Sequence, residues 1–303
     1  MKIVLIRKLV LLFTAVIWLS CTQNKKGAVD PPGQVVIGVI PSEEAERMVK
    51  NMEPAIEFLR QELNIPVKMY RASDYTAIVE GMRGEKVDIG VFGPFSYVLA
   101  SGKAGAEPLV VPGKKTGEPA TYNSLLITHR DSGLESIADL KHTSQKYTLS
   151  FSDPASTSGH LVPRGQLHLM GINPEEHFKE ILFSGNHTAT ILALANNKVD
   201  VAGCSYTVFR KMIERGMLKE DKVKILWKSK PLPVDLVTVR KGLSEGFKTR
   251  LRDIYLRLAE EVPASANYFY EEWNDSTLVF LPAHDSLYAE IRRLSKYIHE
   301  TKQ

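Results

Sequence analysis

From residue 34 onward the chain alternates between strand-like and helix-like patterns. Val35-Val36-Ile37-Gly38-Val39-Ile40 is a nearly unbroken β-branched run, the pattern of a parallel strand buried on both faces. A helix is predicted from about Glu43 to Leu63, with Ser42 as its cap and acidic residues in its first turn. Val67-Lys68-Met69-Tyr70 predicts a second strand, Asp74 to Arg83 a short helix, Val87 to Phe92 a third strand, and Phe95 to Ser101 the opening of another helix. This βαβαβ order predicts a parallel sheet with helices on its faces.

A second unit follows. Strands are predicted at Ser124 to His129, Tyr147 to Phe151, Val199 to Cys204 and Lys222 to Trp227. Helices are predicted at Leu134 to Leu140, His160 to Met170 and Thr188 to Asn196. Pro231 and Pro233 break the pattern, Leu236 to Arg240 resumes as a strand, and Leu243 to Ala259 and Ser286 to Thr301 read as amphipathic helices. The expected architecture is two α/β lobes with the middle of the chain inserted into the first. Residues 34–121 and 236–303 form lobe 1 and residues 122–235 form lobe 2, with crossings near Thr121–Ser124 and Ser229–Asp235. Two crossings beside a cleft give the hinge geometry of ligand-clasping proteins.

The N-terminus has a different character. Lys2, Arg7 and Lys8 precede an apolar run from Leu9 to Leu19 broken only by Thr14. That run falls short of the ~20 residues of a membrane span and suits a secretory signal peptide over residues 1–20. Ser20 before Cys21 resembles a bacterial lipobox, in which the cysteine is lipidated and becomes the new N-terminus. Trp18 stands where that pattern usually has a smaller aliphatic residue, and ordinary cleavage with an unmodified cysteine is the alternative. Residues 21–33 read as a flexible tether, polar with Lys25, Lys26, Pro31 and Pro32. The only other cysteine, Cys204, sits in an apolar run, so no internal disulfide is expected and Cys204 reads as a buried small hydrophobe.

Composition narrows the function. The 303 residues are 44% hydrophobic and 24% charged, ordinary for a globular protein. Without Lys2, Arg7 and Lys8 the 39 basic residues become 36 against 35 acidic ones, which leaves no electrostatic footprint for nucleic acid. No Gly-x-Gly-x-x-Gly or Walker loop is present, and the eight histidines show no metal spacing. No cofactor or metal is expected.

The strongest local signal is Asp153-Pro154-Ala155-Ser156-Thr157-Ser158-Gly159, where a strand ends and a helix begins. The first amides of a helix lack intrahelical partners and carry a partial positive charge of ~0.5. Hydroxyls beside such amides make an anion cradle that needs no basic side chain. A plain N-cap uses one hydroxyl; three in a row exceed that need.

That segment, continued as His160-Leu161-Val162-Pro163, resembles the signature of the phosphate-, phosphite- and phosphonate-binding proteins of ABC importers. Other segments fall in the order of that family: Asp74-Tyr75, Gly81-Met82-Arg83, Val87-Asp88-Ile89, Phe92-Gly93-Pro94, Tyr122-Asn123-Ser124, Ser184-Gly185-Asn186-His187, Val199-Asp200-Val201-Ala202 and Pro233-Val234-Asp235. The resemblance runs from about residue 34 to about residue 285. It implies a type II-like periplasmic binding-protein fold with the ligand cleft between two lobes. The implied partners are an ABC permease and its ATPase, and the membrane through a lipid anchor at Cys21, for an exported monomer facing the periplasm or cell exterior.

The resemblance also assigns roles. Ser156, Thr157 and Ser158 hold the phosphorus oxygens, His187 adds a donor, and Tyr75 and Tyr122 line the pocket. Asp235 faces the ligand from the return crossing, where it either pairs with the ammonium of an aminoalkylphosphonate or accepts a hydrogen bond from a protonated P–OH. Amine-binding members carry a second acid soon after the Val-Asp-Val-Ala strand; here the chain reads Gly203-Cys204-Ser205-Tyr206-Thr207. That shifts the expected ligand from 2-aminoethylphosphonate toward phosphite, methylphosphonate or a related small species, with phosphate still open. Arg164, one turn beyond His160, reads as an exposed helix charge.

Two other classes compete. Ser156, His187 and Asp235 are the residue types of a hydrolase triad, but no Gly-x-Ser-x-Gly elbow surrounds the serine. A ligand-sensing module for a signalling receptor would use the same lobes; permease and ATPase genes nearby favour transport, a lone kinase gene sensing.

Overall fold

The computed structural model describes residues 31–42, 45–263 and 277–300. The expected signal peptide, Cys21 and most of the tether lie outside the described residues. In chain order the strands are β1 (Val35–Val39), β2 (Val67–Tyr70), β3 (Ile89–Phe92), β4 (Glu107–Gly113), β5 (Thr121–Tyr122), β6 (Ser124–His129), β7 (Thr148–Phe151), β8 (Glu180–Phe183), β9 (Val201–Ser205), β10 (Val223–Lys228), β11 (Leu232–Pro233), β12 (Leu236–Val239) and β13 (Val279–Pro282). The principal helices are α1 (Ala45–Leu63), α2 (Tyr75–Arg83), α3 (Pro94–Ala104), α4 (Val162–Leu169), α5 (His187–Ala195), α6 (Tyr206–Glu214), α7 (Glu245–Glu261) and α8 (Ala289–Glu300).

Two sheets form two lobes. The first has six strands in the order β13-β4-β12-β3-β1-β2, the second five in the order β10-β6-β9-β7-β8. Within them β1 pairs in parallel with β2 and β3, and β7 with β8 and β9. The strands entered from the crossing segments, β12 and β6, run antiparallel to their neighbours. Both faces of each sheet are covered. Ile37, Met52, Leu59, Leu251 and Tyr255 pack on one face of the first, and Ile78, Met82, Tyr97 and Ile291 on the other. In the second sheet Ile127, Ile191 and Met212 pack on one face and Leu149, Phe151 and Leu167 on the other. Strands buried on both faces explain the unbroken apolar runs of β1 and β3.

The chain passes between the lobes twice, and the two passages lie side by side. β5 pairs antiparallel with β11, Tyr122 opposite Leu232 and Thr121 opposite Pro233. Ser124 N–H donates to Ser229 Oγ at 2.9 Å, and Ser229 N–H returns to the Ser124 carbonyl at 2.9 Å.

The two Val-Asp elements do the same job in each lobe. Asp88 Oδ2 accepts the Val36 N–H at 2.9 Å and Oδ1 accepts Arg240 Nε at 2.7 Å, which ties the entry of β1 to the exit of β12. Asp200 Oδ2 accepts the Thr148 N–H at 2.7 Å and its hydroxyl at 2.8 Å, which ties the entry of β7 to β9. Removing a carboxylate from a buried pair strands its partner's charge. Asp88→Ala is therefore expected to destabilise the protein by about 3 kcal/mol, because Arg240 keeps only 9% of its side chain exposed. Urea unfolding checks it; a loss below about 1 kcal/mol would show the pair to be incidental.

Candidate functional site

Parallel strands deliver their carboxyl ends, and hence the starts of the helices that follow, to one edge of the sheet. In both lobes that edge faces the other lobe. One cavity lies there, lined by Ile40, Ser42, Tyr75, Gly93, Tyr122, Ser156, Thr157, Ser158, His187, Ser205 and Asp235. From lobe 1, Ser42 follows β1, Tyr75 is the first residue of α2 and Gly93 caps α3. From lobe 2, Ser156 to Ser158 open the helix after β7, His187 is the first residue of α5 and Ser205 caps α6. Tyr122 ends β5 of the paired crossing strands and Asp235 lies two residues past the end of β11. Among the described residues, no lysine or arginine is in this lining.

All seven residues singled out for ligand contact thus surround one cavity: Tyr75, Tyr122, Ser156, Thr157, Ser158, His187 and Asp235. Each is buried. Sequence reasoning missed Ser42, Gly93, Ser205 and the apolar wall Ile40. Their shared signal is position: each stands at or just past the carboxyl end of a parallel strand. At Gly93 a methyl group would sit 3.2 Å from Asp235 Oδ1, tighter than an ordinary contact, so the absent side chain leaves room for that carboxylate.

The cradle has a wide first turn. Leu161 N–H donates to the Ser156 carbonyl at 3.0 Å and Val162 N–H to that of Thr157, each five residues back. Such π-type turns cluster at functional sites because they leave nearer amides and carbonyls uncommitted. The serine hydroxyl of Ser156 performs the capping, accepting Gly159 N–H at 3.0 Å. Thr157 Oγ1 accepts Phe95 N–H at 2.8 Å. A hydroxyl that accepts through a lone pair keeps its proton to give, so both are oriented as donors.

The tautomer of His187 follows from its neighbours. Ser205 N–H donates to Nδ1 at 3.2 Å, and Ser152 Oγ lies 3.0 Å from the same nitrogen. A backbone N–H only donates, so Nδ1 is the acceptor and the ring proton resides on Nε2. Behind Asp235, Tyr288 donates its hydroxyl to the Val234 carbonyl at 3.2 Å. Burial first, then the charge of Asp235, push that phenol well above its ordinary range, so it stays neutral.

The lobes are closed on each other. Beyond Phe95 N–H on Thr157, His187 N–H donates to the Ser42 carbonyl at 3.2 Å and Tyr75 N–H to Asp153 Oδ2 at 3.4 Å. Each donor is a first-turn helix amide, which the helix itself does not engage, and each acceptor belongs to the opposite lobe. Burial raises the Asp153 carboxyl above its usual value, and the amides of Ala155 and Tyr75 offset part of that rise.

Arg164 departs from expectation. It is not an exposed helix charge but 1% exposed. Its guanidinium grips Glu175 with two bonds of 2.6 and 2.8 Å, stacks 5.0 Å from the Phe151 ring, and donates to His160 Nε2 at 2.9 Å. His160 therefore carries its proton on Nδ1 and donates it to the Pro154 carbonyl at 2.7 Å. The side chain buttresses the cradle loop from behind without entering the cavity. Cys204 is fully buried, and burial pushes its thiol far above the reactive range.

A family model for periplasmic phosphonate substrate-binding proteins of ABC transporters matches residues 37–288. The chain is 30% identical over 246 residues to the phosphonates-binding periplasmic protein of Escherichia coli, an alignment covering 81% of this chain and 72% of that protein. It is 31% identical over 233 residues to the phosphate-import protein PhnD of Mycolicibacterium smegmatis, covering 74% and 71%. The crystal structure of a binding component of an ABC phosphonate transporter from Pseudomonas aeruginosa superposes with a TM-score of 0.79 at 29% identity, covering 89% of this chain and 87% of that one. These relatives bind for transport and are not enzymes. The chain belongs to the periplasmic phosphonate substrate-binding protein family of ABC transporters, and so is an exported binding protein facing the periplasm.

Proposed function

We propose that this protein captures a small phosphorus oxyanion, a phosphonate, phosphite or methylphosphonate, by closure of its two lobes, and delivers it to an ABC permease and its ATPase. One observation carries the reading: hydroxyls and helix-start amides from both lobes surround a cavity that, among the described residues, is lined by no lysine or arginine and by one carboxylate, Asp235. The amides and dipoles supply the attraction for an anion. Hydrogen bonds to a charged group contribute ~1.5–3 kcal/mol each, so a handful from both lobes suffices for tight capture. The lobes divide at residues 121 and 236, and the paired crossings β5 and β11 act as the hinge. The mature protein works as a monomer tethered through lipid on Cys21.

Asp235 sets the ligand's chemistry. An ionised carboxylate accepts and does not donate, so the ligand must bring a proton on oxygen or an ammonium group. No acid stands in Gly203-Cys204-Ser205-Tyr206-Thr207, the stretch where a second carboxylate would steady an amine, and the residue of it that lines the cavity is Ser205. A single carboxylate is a weak ammonium site, which favours phosphite or methylphosphonate over 2-aminoethylphosphonate. The named ligands of the relatives, phosphonate and phosphate, fall in the same class.

Calorimetry of the mature protein against phosphite, methylphosphonate, 2-aminoethylphosphonate, phosphate and sulfate tests this. Phosphite or methylphosphonate is expected to bind at micromolar Kd or tighter, with sulfate weaker by at least about a hundredfold, the worth of roughly 3 kcal/mol. Absence of heat with every phosphorus ligand would overturn the reading. Asp235→Asn replaces an obligatory acceptor by a side chain that also donates. It is expected to shrink the preference over sulfate by about tenfold or more; an unchanged ratio would remove Asp235 from the selectivity.

A further inference from the structure

Ser42 reads from the sequence as a helix cap, and its hydroxyl makes no capping bond among the described residues. Its Oγ is buried and has no hydrogen-bond partner among the described residues. The residue as a whole is 3% exposed and lines the cavity. Its main chain is fixed on both sides. Ser42 N–H donates to the Ile40 carbonyl at 2.8 Å, a tight turn around Pro41, and its own carbonyl accepts His187 N–H from the opposite lobe at 3.2 Å. Proline's fixed φ favours such a turn. A rigid backbone therefore presents a hydroxyl to the ligand space and leaves it unsatisfied there.

Buried polar atoms without partners are rare because each one gives up its bonds to water. The hydroxyls of Ser156 and Thr157 are engaged by backbone amides; Ser42 Oγ is not. Building on the oxyanion reading above, we infer that Ser42 is a ligand-binding and selectivity residue. Its hydroxyl donates to a phosphorus oxygen from lobe 1 while Ser156, Thr157 and Ser158 hold the anion from lobe 2. The same residue holds lobe 2 through its carbonyl. The Ser42 contact thus forms only in the closed protein, and it links anion capture to closure.

The test is Ser42→Ala, with Ser42→Thr as the conservative variant, titrated calorimetrically with phosphite, methylphosphonate and phosphate beside wild type. Ser42→Ala is expected to weaken the best of these ligands about ten- to a hundredfold, and Ser42→Thr to restore most of the loss. The ligand-free melting temperature of Ser42→Ala should match or exceed wild type, since the change removes an unpartnered hydroxyl. Wild-type affinity in Ser42→Ala would overturn the inference and leave the oxyanion reading intact. Weakened binding with a lowered ligand-free melting temperature and no rescue by threonine would overturn it too, by assigning Ser42 a structural role. Failure of wild type to bind any of the three would remove both.

Discussion

The proposed capture depends on one electrostatic constraint: an anion must be attracted to a cavity whose described lining holds the carboxylate of Asp235 and no lysine or arginine. The fold meets it with its backbone. Because β1, β2 and β3 in one lobe and β7, β8 and β9 in the other run parallel within their sheets, the helices after them begin at the cleft. Each start contributes uncommitted amides and the positive end of a dipole. Some of those amides already reach across the cleft, from Phe95, Tyr75 and His187 to acceptors in the other lobe. Closure and anion attraction draw on the same set of donors.

On the proposed reading, this arrangement gives Asp235 a purpose that a basic pocket would obscure. Where lysine or arginine dominates, any small anion is welcome. Where attraction comes from fixed amides and hydroxyls, one carboxylate makes a fully deprotonated anion costly and a ligand with a proton to share favourable. Gly93 leaves room for the carboxylate. Tyr288 stays a neutral donor behind it. The Glu175–Arg164–His160 chain holds the Pro154 carbonyl, and so keeps the cradle loop in place from outside the cavity.

Much of this was legible in the sequence, for physical reasons. Doubly buried strands leave unbroken apolar runs, and β1, β3 and β9 were visible as such. The hydroxyl triplet of residues 156–158 exceeded what capping requires. What was hidden depends on long-range structure. β4 carries Pro108 and Pro112, which read as breakers, yet the sheet accommodates it through a register shift opposite Val237 and Thr238. β8 is an edge strand with Leu182 and Phe183 exposed, so it shows no clean alternation. β13 forms only by pairing with β4. Arg164 looked like a surface charge because its partners, Glu175 and His160, meet it only in the folded chain. Ser42 looked like a cap because a serine before a helix usually is one.

The most direct test is a crystal structure of the protein with phosphite or methylphosphonate bound. The account predicts the anion in the cavity between the lobes. Its oxygens should accept from the amides and hydroxyls of Ser156, Thr157 and Ser158 and from at least one donor of lobe 1, with a protonated oxygen on Asp235 and no lysine or arginine in contact. An anion held by a basic side chain, or seated outside this cavity, would contradict it.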